Sequence, residues 1–264
     1  MQKYLATFRR LFPGTHHIFA SITLILGVFA VIYTLGVSQG FFLRGFITSL
    51  DKSVLDVILL HRDAARSGFF LFFTYLGNAE IIASLSLVIL LIMTLSRKVR
   101  AAWFFIIALF AGQSLSLLFK YLLVRSRPDT AHALIEQGGY SFPSGHAMGS
   151  VVFYGMLGYF LCTLLVRHRH HILVTLSTVA VIALIGISRL YLGVHWLSDV
   201  VAGWIMGSTL LIVFIVFFEH RKSLFPVVHR DPWVSRFVLI VSALLLSLAE
   251  ALFIAHFFLS HPLR

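Results

Sequence analysis

Long apolar stretches broken at intervals by short polar ones run the length of the chain. Seven runs rich in Leu, Ile, Val and Phe lie at about 18–40, 68–95, 101–121, 147–166, 172–190, 198–218 and 237–259. A helix needs about 20 mostly apolar residues to cross roughly 30 Å of hydrocarbon, so each run predicts a spanning helix. The segment 41–67 reads differently. There Ile47, Leu50, Val54, Leu55, Ile58 and Leu59 recur three and four apart among Arg44, Asp51, Lys52, Asp56, Arg62 and Asp63, which predicts a helix lying in the membrane interface. The apolar part of the first run exceeds the 7–15 residues of a secretory h-region, and no small-x-small cleavage site follows it, so it predicts an uncleaved span.

Composition agrees with an all-α, polytopic membrane helical bundle. Hydrophobic residues make up 59% of the chain, charged residues 12%, and the mean hydropathy is +0.95. A water-soluble domain carries about 25% charged residues, so that class is excluded. The formal charge of +11 raises nucleic acid as a partner, but the basic residues lie in short clusters between runs, and no nucleic-acid partner is expected. Twelve of the 21 Lys and Arg fall in 1–17, 96–100, 167–171 and 219–236. Cytoplasmic loops carry such an excess, which predicts a multi-pass protein with a cytoplasmic N-terminus. The single Cys162 excludes an intrachain disulfide.

Three segments interrupt the apolar pattern with polar residues that a membrane helix has no structural need for: Lys120 to Pro128, Pro143-Ser144-Gly145-His146, and Ser188 to Asp199. Span parity puts all three on the outer side. Lys120 and Arg127 are seven apart, close to two turns, and are expected on one face of the third helix before Pro128 stops it. Arg125 lies part of a turn away from them and need not face the same pocket. Gly145 and His146 sit where the fourth helix begins, with unpaired backbone N–H groups and a positive dipole end. With Arg189, these residues make a pocket of fixed positive charge and N–H donors suited to a phosphate dianion.

His195 and Asp199 are spaced i and i+4, so the carboxylate can hold one ring nitrogen and leave the other facing the anion as an oriented nucleophile. His146, from another helix, can give a proton to a leaving oxygen. That set describes phosphoryl transfer through a phosphohistidine. Lys and Arg side chains neutralise the developing charge, so neither metal nor cofactor is expected.

These segments resemble the signature of the type 2 phosphatidic acid phosphatase (PAP2) superfamily: Lys-x6-Arg-Pro, Pro-Ser-Gly-His and Ser-Arg-x5-His-x3-Asp, with every specified position filled. The resemblance implies that Lys120, Arg127 and Arg189 bind phosphate with Ser144 and Gly145 assisting, that His195 is the nucleophile with Asp199 as its partner, and that His146 is the general acid. It further implies a six-helix phosphatase core, here within 1–236, so that 237–264 reads as an additional C-terminal transmembrane helix. The implied activity is that of a metal-independent lipid phosphate or diphosphate phosphatase at the extracytoplasmic face of a cell inner membrane. Polyprenyl diphosphate such as undecaprenyl diphosphate comes first as substrate, ahead of phosphatidylglycerol phosphate, phosphatidic acid and lipid A phosphates. Transfer of the phosphate to a second lipid is the alternative reaction, and a non-catalytic lipid transporter or scaffold the alternative class.

Outside the signature, His132, His168, His170 and His171 read as surface or headgroup contacts, and most of the 26 Phe as lipid-facing. Trp103, Trp196 and Trp204 read as interface anchors. Glu80 and Glu250 are acids within apolar runs, a placement that usually marks function. Neither belongs to the signature, and for Glu250 a structural hydrogen bond to a neighbouring helix is expected.

Overall fold

The computed structural model describes residues 44–96, 98–165 and 168–220, with a short helical stretch within 22–33. The described residues form helices α1 (Arg44–Leu60), α2 (Ala64–Leu76), α3 (Ala79–Leu95), α4 (Val99–Leu123), α5 (Gly145–Leu164), α6 (His168–Tyr191) and α7 (Leu197–His220). No strand occurs among them. The seventh run, Glu250 and most of the basic residues used for orientation lie outside the described residues, as does most of the first run.

Stretches Ala101–Leu123, Arg169–Tyr191 and Leu197–Phe218 are long and apolar enough to cross a membrane, and α2 and α3 are so only as a pair, bent by 48° at the break between them. The second apolar run is therefore a broken helix, and its break falls at Gly77-Asn78. Helix α5 is not among these spans, although it has 20 residues. It is the central helix, with Met148, Val151, Val152, Phe153 and Met156 all buried. Neighbouring helices shield it from lipid, so it can carry Gly, Ser and His where a lipid-facing helix cannot.

Helix α7 crosses α5 closely because glycines let it. A Cβ on Gly203 would lie 2.7 Å from the Ser144 carbonyl oxygen, and one on Gly207 2.9 Å from that of Met148. Such distances are closer than side chains tolerate, so this crossing requires glycine. The Ser144 N–H donates to the Asp199 carbonyl at 3.0 Å, which ties the start of α5 to the first turn of α7.

Below this crossing, Phe104, Phe105, Phe153 and Phe218 are buried in one cluster, joined by Phe160 and Phe214. Edge-to-face pairs such as Phe105–Phe153, with centroids 5.8 Å apart, fill this part of the interior, while Phe46, Phe69, Phe110 and Phe217 are exposed. Trp204 departs from the expected anchor role. Its ring packs so tightly on α6 that a Cβ on Gly186 would come within 2.2 Å of it. Trp103 is exposed.

Candidate active site

Helix α4 ends earlier than the spacing of Lys120 and Arg127 predicts. Val124 takes a left-handed conformation, φ 48°, and its N–H caps the Lys120 carbonyl at 3.1 Å. Lys120 therefore projects from the last turn, while Arg127 comes from the loop beyond it. The two still converge. Lys120 Nζ donates to the Tyr140 carbonyl at 2.7 Å, and Arg127 donates to the carbonyls of Gly138, Gly139 and Tyr140 at 2.9, 3.0 and 3.2 Å. The loop from 124 to 144 folds back over them as one wall of a cavity of about 300 Å³. His146, His195 and Gly145 line its other side, and Leu117 and Tyr121 stand at its edge.

His195 lies in the connection between α6 and α7 and is buried, as is Asp199. Its Nδ1 is 3.4 Å from Asp199 Oδ2, and its Nε2 is 3.2 Å from Arg127 Nη1. A guanidinium only donates, so Nε2 is the accepting nitrogen and the proton of the neutral ring sits on Nδ1, facing the carboxylate. Burial pushes the His195 pKa well below the usual histidine range, and Arg189, Arg127 and Lys120 lower it further. The ring is therefore neutral, with its lone pair directed to the cationic side of the cavity.

Asp199 is held from three sides. Its Oδ2 also accepts the Trp196 N–H at 2.9 Å, and its Oδ1 accepts from Arg125 Nη1 at 2.6 Å. Arg125 thus has its place behind the histidine and not in the cavity. Helix α4 has already ended there, so the helical angle between Lys120 and Arg125 does not apply. The second Nη of Arg125 donates to Asp51 at 2.7 Å, and Asp51 accepts the N–H and hydroxyl of Ser198 at 2.8 and 2.6 Å.

Arg189, at the end of α6, is almost wholly buried. It donates to the Thr74 hydroxyl and, at 2.6 Å, to Gln137 Oε1. Its Nε is buried with no hydrogen-bond partner among the described residues. Ser144 is the N-cap of α5, its hydroxyl accepting the Ala147 N–H at 3.4 Å. Its side chain thus serves the helix, and Gly145 and His146 follow at the open end. His146 Nε2 lies 2.8 Å from Asn78 Oδ1. All eight residues named from the motifs therefore gather around one cavity or its immediate support.

Sequence reasoning missed Thr74, Asn78, Gln137 and Asp51. Thr74 and Asn78 sit inside an apolar run, where the dipeptide Gly77-Asn78 was a turn signal. Asp51 looked like one more charge on an amphipathic helix. Glu80, from the same run, is exposed in the first turn of α3.

Residues 101–223 match the PAP2 superfamily. Phosphatidylglycerophosphatase B of Bacillus subtilis (strain 168) is 31% identical over 173 residues, which cover 64% of this chain and 83% of that protein. The chain belongs to the PAP2 superfamily. It is a multi-pass membrane lipid phosphatase, a hydrolase of phosphoric monoesters or diphosphates. An undecaprenyl-diphosphatase of Sulfolobus acidocaldarius is 35% identical over 109 residues, 39% of this PAP2 chain and 47% of that protein. The crystal structure of a transmembrane PAP2 type phosphatidylglycerolphosphate phosphatase from Bacillus subtilis superposes with a TM-score of 0.67 at 27% identity, covering 75% of this chain and 96% of that one. Aquifex aeolicus LpxE, with a TM-score of 0.50 at 23% identity over 62% of this chain and 93% of its own, shares the PAP2 fold.

Proposed function

We propose that this enzyme removes the terminal phosphate of a lipid phosphate or diphosphate at the extracytoplasmic face of a bacterial inner membrane, through a phosphohistidine on His195. The observation that carries this reading is the orientation of His195, with Nδ1 toward Asp199 and Nε2 toward Arg127. A phosphate entering the cavity replaces the carbonyl partners of Lys120 and Arg127, and the buried Nε of Arg189 is a further donor for it. Nε2 then attacks phosphorus while these cations hold the equatorial oxygens. Gly145 brings the backbone N–H groups of the α5 N-terminus close to the same anion.

His146 supplies the proton the lipid alkoxide needs as the P–O bond breaks. In the second half-reaction water attacks the phosphohistidine, returns that proton to His146 and releases phosphate. A lipid substrate is supported by the rim of the cavity. Leu117 and Tyr121 line it and are also 53% and 72% exposed on the outside of α4, so an acyl or prenyl chain can remain in the bilayer while its headgroup turns inward.

Similarity to phosphatidylglycerophosphatase B extends over more of the chain than similarity to undecaprenyl-diphosphatase, and this puts phosphatidylglycerol phosphate first, with undecaprenyl diphosphate beside it. The test is phosphate release by the purified protein from these two lipids, phosphatidic acid and a lipid A phosphate, with and without EDTA. The reading expects release that EDTA spares and vanadate inhibits, because vanadate can adopt the geometry of the transition state. Activity silenced by EDTA and restored by Mg²⁺ overturns the metal-free mechanism. Labelled phosphate passing to a second lipid with little free phosphate overturns hydrolysis.

A further inference from the structure

The bend between α2 and α3 has no proline to cause it, and helix kinks have identifiable causes. Here the cause lies in what the bend touches. Gly77 stands where a Cβ would come within 2.6 Å of Ile185 and 3.0 Å of His146 Cδ2, so only glycine lets the chain pass the edge of that imidazole. Breaking the helix frees the Leu76 carbonyl, which accepts from the Tyr154 hydroxyl at 2.9 Å. Tyr154 belongs to α5, the helix that carries His146, so the break is docked on α5 at two levels.

Asn78 then occupies the N-cap position of α3 with extended backbone, φ −67° and ψ 144°. Asparagine is among the residues favoured there because its side chain can cap, an interaction worth about 1 kcal/mol. In this protein its side chain makes no cap hydrogen bond. The carboxamide is turned toward α5, where His146 Nε2–H donates to Oδ1 at 2.8 Å. The available local partner is forgone for a contact 68 residues away in sequence.

From these contacts we infer that Asn78, seated by the Gly77 break, is the positioning residue of the general acid: it binds His146 Nε2, so that the proton given to the leaving oxygen travels from Nδ1. This rests on His146 being the acid, as proposed above. Whichever way the carboxamide is turned, Nε2 is the nitrogen it engages. The proton balance is closed. Imidazolium Nδ1–H passes its proton to the alkoxide as His195 Nε2 bonds phosphorus, and the attacking water restores it in the second step. The charged and titratable groups facing His146 are Arg189, His195, Lys120 and Arg127. Burial and these neighbours, none of them an anion, lower the His146 pKa well below the ordinary histidine range, so it is the substrate's phosphate that favours the imidazolium, while Asn78 Oδ1 accepts from its Nε2–H.

Asn78→Ala, Asn78→Asp and His146→Ala, with the double variant Asn78→Ala/His146→Ala, are compared on phosphatidylglycerol phosphate and on p-nitrophenyl phosphate, whose leaving group needs little protonation. Asn78→Ala should lower kcat on the lipid on the order of 10–100-fold, the loss seen when the hydrogen-bond partner of a working histidine at a metal site is removed, and should spare the aryl ester. In the His146→Ala background the same substitution should cost nothing further. The alkaline limb of kcat, which reports the acid in the substrate complex, should move to higher pH in Asn78→Asp, where a carboxylate favours the imidazolium. It should move to lower pH in Asn78→Ala. A merely structural contact would not shift the limb in opposite directions, and Asn78→Asp keeps the side-chain volume should the alanine variant fold poorly. If His146→Ala cripples the lipid reaction but the Asn78 variants leave kcat and the limb in place, or their cost persists in the double variant, the assignment of Asn78 is overturned. If His146→Ala itself spares the lipid reaction, the acid reading has failed instead.

Discussion

Arg125 grips Asp199 from the side of the carboxylate opposite His195, Nη1 to Oδ1 at 2.6 Å, and with its other Nη holds Asp51 at 2.7 Å. Both acids are buried, at 0% and 3% exposure. One guanidinium thus binds two carboxylates beneath His195 and joins α1 to the first turn of α7. Removing one partner of such a buried pair costs about 3–5 kcal/mol, because it leaves charge uncompensated. Arg125→Ala should therefore lower the Tm by about 6–20 °C, taking about 2–4 °C per kcal/mol for a chain of this size. Thermal unfolding in detergent followed by tryptophan fluorescence is the measurement. A variant melting with the parent would mean that Arg125 is a surface contact.

Burial and three cations depress the pKa of His195, and the sign of the consequence is definite. The folded protein binds its proton at lower pH than the unfolded chain, whose histidine titrates near 6.5. Between those two values the unfolded chain holds more protons, so this group's contribution to stability is present above about pH 6.5 and is lost as pH falls toward the folded value. Histidine NMR of the substrate-free protein, assigned with His195→Ala, should show His195 titrating below the ordinary range. A midpoint at or above 6.5 would contradict the cationic environment described here.

The two histidines should separate kinetically. His195→Ala removes the covalent route and should abolish turnover of every substrate, whatever its leaving group. His146→Ala should lower hydrolysis of a lipid alkyl phosphate by about 10²–10⁴-fold, the usual size of general acid catalysis, keep far more of the aryl phosphate reaction, and accumulate labelled phosphoenzyme. If His195→Ala is the variant that keeps aryl phosphate activity, the roles are reversed.

Orientation is testable with single cysteines at Thr130 and Ser96 in a Cys162→Ala background. The proposed arrangement exposes 130 to an impermeant thiol reagent on intact cells and shields 96. Equal labelling, or labelling at 96 alone, would overturn it.

Much of the site was legible in the chain because its spacings are local. His195 and Asp199 lie one turn apart, and Ser144-Gly145-His146 begins a helix whatever surrounds it. The cations were legible for another reason: charge at the edge of an apolar run is costly unless it is used. Arg125 was ambiguous because the end of α4 turns on one residue, Val124, taking a left-handed conformation that no side-chain pattern announced.

The sequence alone determined a membrane bundle, the residues that gather at the cavity and the shared end of the helices that carry them. Hydrophobic run length and residue spacing within a helix set all three without reference to any neighbour. The tertiary structure decided what holds each working group: Asp51 and Arg125 under Asp199, Thr74 and Gln137 on Arg189, and Asn78 on His146. Those partners are 52 to 115 residues apart, and they meet only through the bend at Gly77, the loop folded over the cavity and the close crossing of α5 by α7. A buried polar group must find a partner wherever packing places one, and packing is a property of the whole chain.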